Sequence, residues 1–195
     1  MTRGFCRLVF LASLPARIYN RALNAIASRF SAGRVVIDWR DARILGADKL
    51  DLRGSFNAGR GLWLQAIGDA ARIEIGDGAM LSDWVHIGAV GHIRIGRDVL
   101  IGSKVVVIDH SHGHLRDHDR ERYVAPARRA LSSKGDIRIG DNVWLGDNVV
   151  VLGGARIGDG CVVGANSLVR GELPAGTICA GNPARVLRSA AAADS

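Results

Sequence analysis

The sequence predicts an all-β chain wound into a parallel β-helix of six-residue repeats, with an N-terminal amphipathic helix and one long inserted loop. Three observations predict it: an aliphatic residue that returns every sixth position, a glycine or asparagine at a fixed offset from it, and a single long interruption. From Ile139 the aliphatic recurs at Leu145, Val151, Ile157, Val163 and Val169. Four steps after each stands a mostly small residue: Val143, Val149, Ala155, Cys161, Ser167 and Leu173. Upstream the same frame runs through Ile75, Leu81 and Ile87, then Ile95, Ile101 and Val107. Two-residue adjustments fall between Ile67 and Ile75 and between Ile87 and Ile95.

A period of six fits neither a helix nor a plain strand over long runs. It fits a coil with flat sides, one large aliphatic per side facing inward, and permissive corners. The third position after the aliphatic supplies those corners: Gly78, Asn142, Asn148, Gly154, Gly160 and Asn166. Glycine and asparagine enter left-handed backbone conformations at least cost. Stacked coils would bury a continuous ladder, each coil giving the next its backbone partners. The expected organisation is a basic arm over residues 1–34, a β-helix domain over 35–188 with an active-site loop at 109–136, and a tail over 189–195.

Composition agrees. A chain of 195 residues with 48% hydrophobic but only 5% aromatic residues must build its core from aliphatics. Lys plus Arg exceed Asp plus Glu by 7, and Arg3, Arg7, Arg17, Arg21, Arg29 and Arg34 all precede the first acid, Asp38. The basic excess is therefore local, which argues against a nucleic-acid binder. Cys6, Cys161 and Cys179 have no paired spacing, so a reducing cytoplasm is expected. The apolar stretch from Phe5 to Leu14 is interrupted by Arg7 and stops at Pro15. It is too short to span a bilayer and lacks a small-residue cleavage site.

Ahead of the repeats, residues 15–30 read as an amphipathic helix, capped by Ser13 with Pro15 in its first turn. Ile18, Ala22, Ile26 and Phe30 share one face, and Arg17, Arg21, Asn24 and Ser28 another. Its apolar face is expected against the β-helix or a neighbouring subunit. The arginines add a second reading, peripheral contact with an anionic membrane from the cytoplasmic side. Residues 35–52 are expected as strands leading into the coils.

Chemistry is expected where the repeat breaks, between Val107 and Ile139. The insert opens Asp109-His110-Ser111-His112-Gly113-His114, and four of the six histidines (His110, His112, His114, His118) lie within nine residues. The six-residue repeats quoted above resemble those of a family of acyltransferases, and that resemblance implies acyl transfer from a thioester to a hydroxyl. Such a transfer needs a base, and imidazole is suited to it near neutral pH. Cys161 occupies an inward repeat position, and neither Cys6 nor Cys179 adjoins a histidine in sequence, so direct attack in a ternary complex is favoured over a covalent route. Asp109 is placed to orient an imidazole.

These motifs resemble those of the hexapeptide-repeat acyltransferases over roughly residues 62–188, and the left hand of the β-helix is implied by that resemblance. The segment Ile101-Gly102-Ser103-Lys104-Val105 through His112 is similar to the catalytic stretch of galactoside and maltose acetyltransferases. There the base follows the coil valine by seven positions, which from Val105 points to His112; His110 is the second candidate. Asp109-His110-Ser111-His112-Gly113 is similar to bacterial polysaccharide and lipopolysaccharide O-acetyltransferases. The resemblance further implies that Trp144 walls the acyl or acceptor pocket and that Trp84 lines the acceptor side. It implies acetyl-CoA binding through Ala165, Arg170, Arg185 and Arg188, with guanidinium suited to phosphate. It also implies a homotrimer with shared sites, a saccharide acceptor and no metal requirement.

Two other functions share the fold. A γ-carbonic-anhydrase-like metal enzyme would place two ligand histidines five residues apart, and no two of the six have that spacing. A non-catalytic scaffold would have no use for His112, Trp144 and the CoA-end motif.

Overall fold

A computed structural model describes residues 3–29, 31–114 and 118–189. Phe30, the Cys6 side chain and residues 190–195 of the expected tail lie outside the described residues. Helix α1 (Arg3–Ala27) precedes six coils of three strands. The first coil is β1 (Val35–Ile37), β2 (Arg43–Leu45) and β3 (Leu50–Arg53). The second is β4 (Phe56–Ala58), β5 (Trp63–Ala66) and β6 (Arg72–Gly76). The third is β7 (Ala79–Leu81), β8 (His86–Ala89) and β9 (His92–Ile95).

The fourth coil carries the insert. After β10 (Leu100–Ile101) and β11 (Val106–Ile108) come β12 (His110–His112), the short helix α2 (His118–Glu121) and β13 (Leu131–Ser133), before β14 (Ile137–Ile139) resumes the coil. The fifth is β15 (Trp144–Leu145), β16 (Val150–Leu152) and β17 (Arg156–Ile157). The sixth is β18 (Val162–Val163), β19 (Leu168–Val169) and β20 (Glu172–Leu173), followed by β21 (Thr177–Gly181) and β22 (Ala184–Ser189).

Strands at the same place in successive coils pair in parallel and build three flat walls. Sheet A takes the first strand of each coil plus β21 and β22; sheets B and C take the second and third. The result is a β-solenoid of about six turns. Ile139, Leu145, Val151, Ile157, Val163 and Val169 are all buried, as the period requires. So are Cys161 and Cys179, whose sulfurs lie near the Thr177 hydroxyl. Ile67 departs from the frame: it is 36% exposed on a widened corner, and Leu64 and Ala66 fill the inward positions of β5.

The corners form columns of positive φ. Between sheets A and B stand Asp41, Gly61, Trp84, Lys104, Asn148 and Asn166, with φ between 57° and 71°. Trp84, at φ 61°, is a bulky side chain in a conformation that usually costs about 1–3 kcal/mol.

Both ends of sheet A are covered. At the far end β22 turns back antiparallel on β21. At the near end α1 lies along β1 and satisfies its backbone with side chains four residues apart. Ser28 Oγ accepts from Val35 N–H at 2.9 Å, Asn24 Oδ1 from Ile37 N–H at 2.9 Å, and Asn20 Oδ1 from Trp39 N–H at 3.2 Å. Four helical residues rise about 6 Å and two strand residues about 6.6 Å. That match lets one polar row on the helix track alternate residues of the edge.

This arrangement corrects the sequence reading of the arm twice. The helix begins well before Pro15 and holds that proline inside. Proline removes one N–H donor, and helix-compatible residues on both sides carry the helix past it. The face against the solenoid is a mixed one: Asn20, Asn24 and Ser28 meet the strand edge, which needs hydrogen-bonding partners as well as apolar cover, and Ala27 packs against the core beside them. Residues 35–52 are also more than a lead-in, since they form the complete first coil.

Candidate active site

The insert leaves the solenoid at the corner between sheets B and C and folds as a hairpin. β12 pairs antiparallel with β13, setting His110 opposite Ser133, Ser111 opposite Ser132 and His112 opposite Leu131. Alternation along a strand puts His110 and His112 on the same side of it. Asp109 anchors the hairpin at its root. Its carboxylate is wholly buried, accepts N–H donors from Val90 at 2.9 Å and Gly91 at 2.8 Å, and faces His110 Nδ1 at 3.0 Å. A carboxylate there fixes the ring and favours the proton on Nδ1. Asp109 thus ties the root of the hairpin to the coil below and touches the His110 ring.

Two bare glycines receive the insert. A Cβ at Gly153, one coil above, would lie 2.6 Å from the Asp109 carbonyl oxygen and 2.7 Å from Lys134 Cβ. A Cβ at Gly88, one coil below, would lie 3.3 Å from His110 Cε1 and 3.4 Å from His86 Nε2. The two imidazoles therefore converge over Gly88. His86 stacks on Trp63, with ring centroids 4.0 Å apart and planes 9° from parallel, and the Arg43 guanidinium lies 5.6 Å from the Trp63 ring. Burial pushes the His86 imidazole below its ordinary pKa, and the neighbouring His110 adds to that.

His112 is exposed on the hairpin, and His114 Nδ1 lies 2.9 Å from Ser132 Oγ. Trp84 stands at the other end of β8 from Gly88. Its ring lies so close over Gly61 that a Cβ there would sit 2.2 Å from it, and Arg60 holds the ring at 5.5 Å. Trp84, His86 and the hairpin consequently border one wall, sheet B.

The remaining sequence candidates lie elsewhere. Trp144 is on the outer side of sheet A, 51% exposed, in register with Leu100 and Val162. Ala165 is exposed at the corner between sheets A and B, its backbone packed over Gly146. Arg170 is exposed at the corner between sheets B and C, two coils above the insert. Arg185 and Arg188 lie on β22, opposite Ala180 and Ile178. One chain thus gathers Asp109, His110 and His112 on the hairpin, while Trp144, Arg185 and Arg188 belong to sheet A.

Sequence reasoning missed His86 and Trp63. Both occupy the outward position that opens a sheet B strand, and they are register partners. The available signal was the glycine at the outward position 88, which leaves room above the sheet.

Residues 136–171 match the family model described as bacterial transferase hexapeptide (six repeats). An Escherichia coli protein named for lipopolysaccharide biosynthesis O-acetyl transfer, WbbJ, is 44% identical over 136 residues, 69% of this chain and 68% of that protein. This chain belongs to the hexapeptide-repeat acetyltransferases. The hexapeptide-repeat containing acetyltransferase VCA0836 of Vibrio cholerae is 34% identical with a TM-score of 0.58, covering 69% of this chain and 70% of that one. Its complex with acetyl coenzyme A aligns at 30% identity and a TM-score of 0.54, over 80% of this chain and 70% of that one. A galactoside acetyltransferase bound to coenzyme A is 29% identical with a TM-score of 0.52, covering 69% and 65%. The fold shared with them is the left-handed β-helix. Family membership sets aside the metal-enzyme and scaffold readings.

Proposed function

We propose that this acetyltransferase moves an acetyl group from acetyl-CoA to a hydroxyl of a saccharide, with His112 as general base. Solved relatives bound to acetyl-CoA and CoA support the donor. The relative named for lipopolysaccharide biosynthesis supports a glycan acceptor. The observation that carries the reading is the hairpin. The long break between β11 and β14 folds into a rooted platform, and His112 occupies the outer, accessible place on it. That is also the position at which the sugar acetyltransferase motif sets its base.

In this mechanism His112 takes the proton as the acceptor oxygen attacks the thioester carbonyl. The tetrahedral oxyanion then collapses, the C–S bond breaks, and the imidazolium returns its proton to the CoA thiolate. The products are an O-acetyl ester and free CoA. A second reading makes His110 the base, and the 3.0 Å approach of Asp109 to His110 Nδ1 is what favours it.

The same proposal includes a homotrimer. Met80, Leu100, Trp144 and Ile178 occupy consecutive or near-consecutive register positions on sheet A and are 41–51% exposed. Sheet A of one copy against the hairpin of the next would bring Trp144, Arg185 and Arg188 to the histidines. Ala165 and Arg170 would then line the path of the CoA arm, and Trp84 the acceptor side. A CoA-dependent reaction together with free, buried Cys161 and Cys179 supports a cytoplasmic enzyme.

Thiol release from acetyl-CoA with a panel of saccharides tests the chemistry. His112→Ala should lower turnover by roughly 10²- to 10⁴-fold with folding and CoA binding intact. His110→Ala should be milder, and the reverse order would assign the base to His110. Activity in both variants would sink the mechanism. Sedimentation showing only monomer at micromolar concentration would sink the trimer.

A further inference from the structure

We infer that the outward face of α1 is a docking surface for an anionic lipid bilayer. The polar row Asn20, Asn24 and Ser28 is committed to the edge of β1. At 100° per residue, positions 18, 22 and 26 lie about 120–160° away from that row. Ile18, Tyr19 and Ile26 there are 61%, 57% and 54% exposed, and Leu14 and Ile18 also border the open groove beside β1. Single exposed apolar residues are ordinary, but a continuous row along several helical turns marks an interaction surface.

Charge selects the occupant. Residues 1–37 hold six arginines and no acid. Arg21 on α1 and Arg29 in the turn after it are exposed, and Arg17, Arg21 and Arg34 line the groove between the helix and the first coil. An amphipathic helix with an apolar side and arginines at its flanks suits the interface of an anionic leaflet. A second copy packed helix to helix would instead oppose arginine with arginine and bring no carboxylate from its own arm. No described helix is long and apolar enough to cross a membrane, so the contact is peripheral, with α1 lying flat. Such a surface would hold the enzyme beside an acceptor carried on lipid.

The test uses the full chain in co-sedimentation with two kinds of vesicle, phosphatidylcholine alone and phosphatidylcholine with phosphatidylglycerol. Binding is expected to the anionic vesicles only and to weaken with added salt. Ile18→Asp combined with Ile26→Asp should reduce it by at least about tenfold. Arg21→Ala and Arg29→Ala should each reduce it roughly fivefold, the effect of one basic residue near a charged surface. Thermal unfolding and thiol release with a soluble acceptor should stay at wild-type values in all four substitutions. Equal binding to both vesicle types, or to neither, would overturn the inference. So would an aspartate pair that changes the oligomeric mass while vesicle binding persists, since the face would then belong to a second copy.

Discussion

Helix α1 and the hairpin insert both leave the coil, and both are tied to it by side chains that accept backbone N–H groups. They differ in how the anchoring is divided. Along α1 and its last turn it is spread over Asn20, Asn24 and Ser28, each partly solvated and each holding its own part of residues 35–39. In the insert it falls mostly to Asp109, wholly buried, which holds Val90, Gly91 and His110 at once, with Asp136 at the far end accepting from His92 N–H at a longer 3.3 Å. A shared anchor loses a fraction of its hold with each residue removed. A single anchor loses nearly all of it, so the two segments should respond to substitution very differently.

The largest effect is expected at Asp109. Asp109→Ala leaves two N–H donors without their acceptor in a dry site, at about 1–3 kcal/mol each, and frees the root of β12. Turnover should drop by at least roughly 10²-fold, because a displaced base loses the geometry that makes it useful. Asp109→Asn should fall between, since an amide keeps one acceptor oxygen but turns an NH₂ toward a donor. Denaturant unfolding and thiol release measure the two consequences separately. A fully active Asp109→Ala enzyme would show that the hairpin is held by its strand pairing instead.

The contrast also explains what could be read from the amino-acid sequence. The six-residue period located Ile139, Leu145 and Val151 in the core because one inward residue per wall is a local requirement, repeated at every coil. The corner residues Asn148 and Asn166 were legible for the same reason: each sits at φ near 60°, which few residue types accept. The hairpin was visible only as an interruption. Its pairing of His112 with Leu131 spans an irregular stretch and leaves no period behind. The apolar face of α1 was expected against the β-helix or a neighbouring subunit, and the first of these left out what a strand edge asks of its cover. Here the neighbour is a strand edge, and Asn24 and Ser28 are the residues it needs. Trp63 and His86 form their stack through register alone, since 23 residues of chain separate them.

A smaller effect is expected on α1, and it should be graded. Asn24 makes three bonds, accepting from Ile37 N–H, accepting from Trp39 Nε1 at 2.8 Å and donating to the Ile37 carbonyl at 3.2 Å. Asn24→Ala should destabilise by about 1–3 kcal/mol. Ser28→Ala should cost about 1 kcal/mol, and neither should change turnover of a soluble acceptor. The double variant Asn20→Ala with Ser28→Ala, about 12 Å apart along the helix, should lose close to the sum of its single variants if the row is distributed, because separated contacts add. A double loss far above the sum would mean that α1 detaches as a unit, and the contrast with the insert would fail.

The smallest effect concerns how the insert is seated on sheet B, and it appears as a pH dependence. His86 is held below its ordinary pKa, first by burial and then by the charge of His110 across Gly88. The unfolded chain therefore binds this proton at a higher pH than the folded one. Stability from this group is complete above the unfolded value, near 6.5, and is lost as pH falls toward the depressed folded value. One proton limits the slope to about 1.4 kcal/mol per pH unit. His86→Phe keeps a ring to stack on Trp63 and removes the titrating nitrogens. Its unfolding free energy between pH 7 and pH 5 should therefore fall less steeply than that of the wild type. Trp63 fluorescence follows the local change at the same time. Equal slopes would place the acid sensitivity elsewhere and leave His110 resting on Gly88 without electrostatic cost from the ring beneath it.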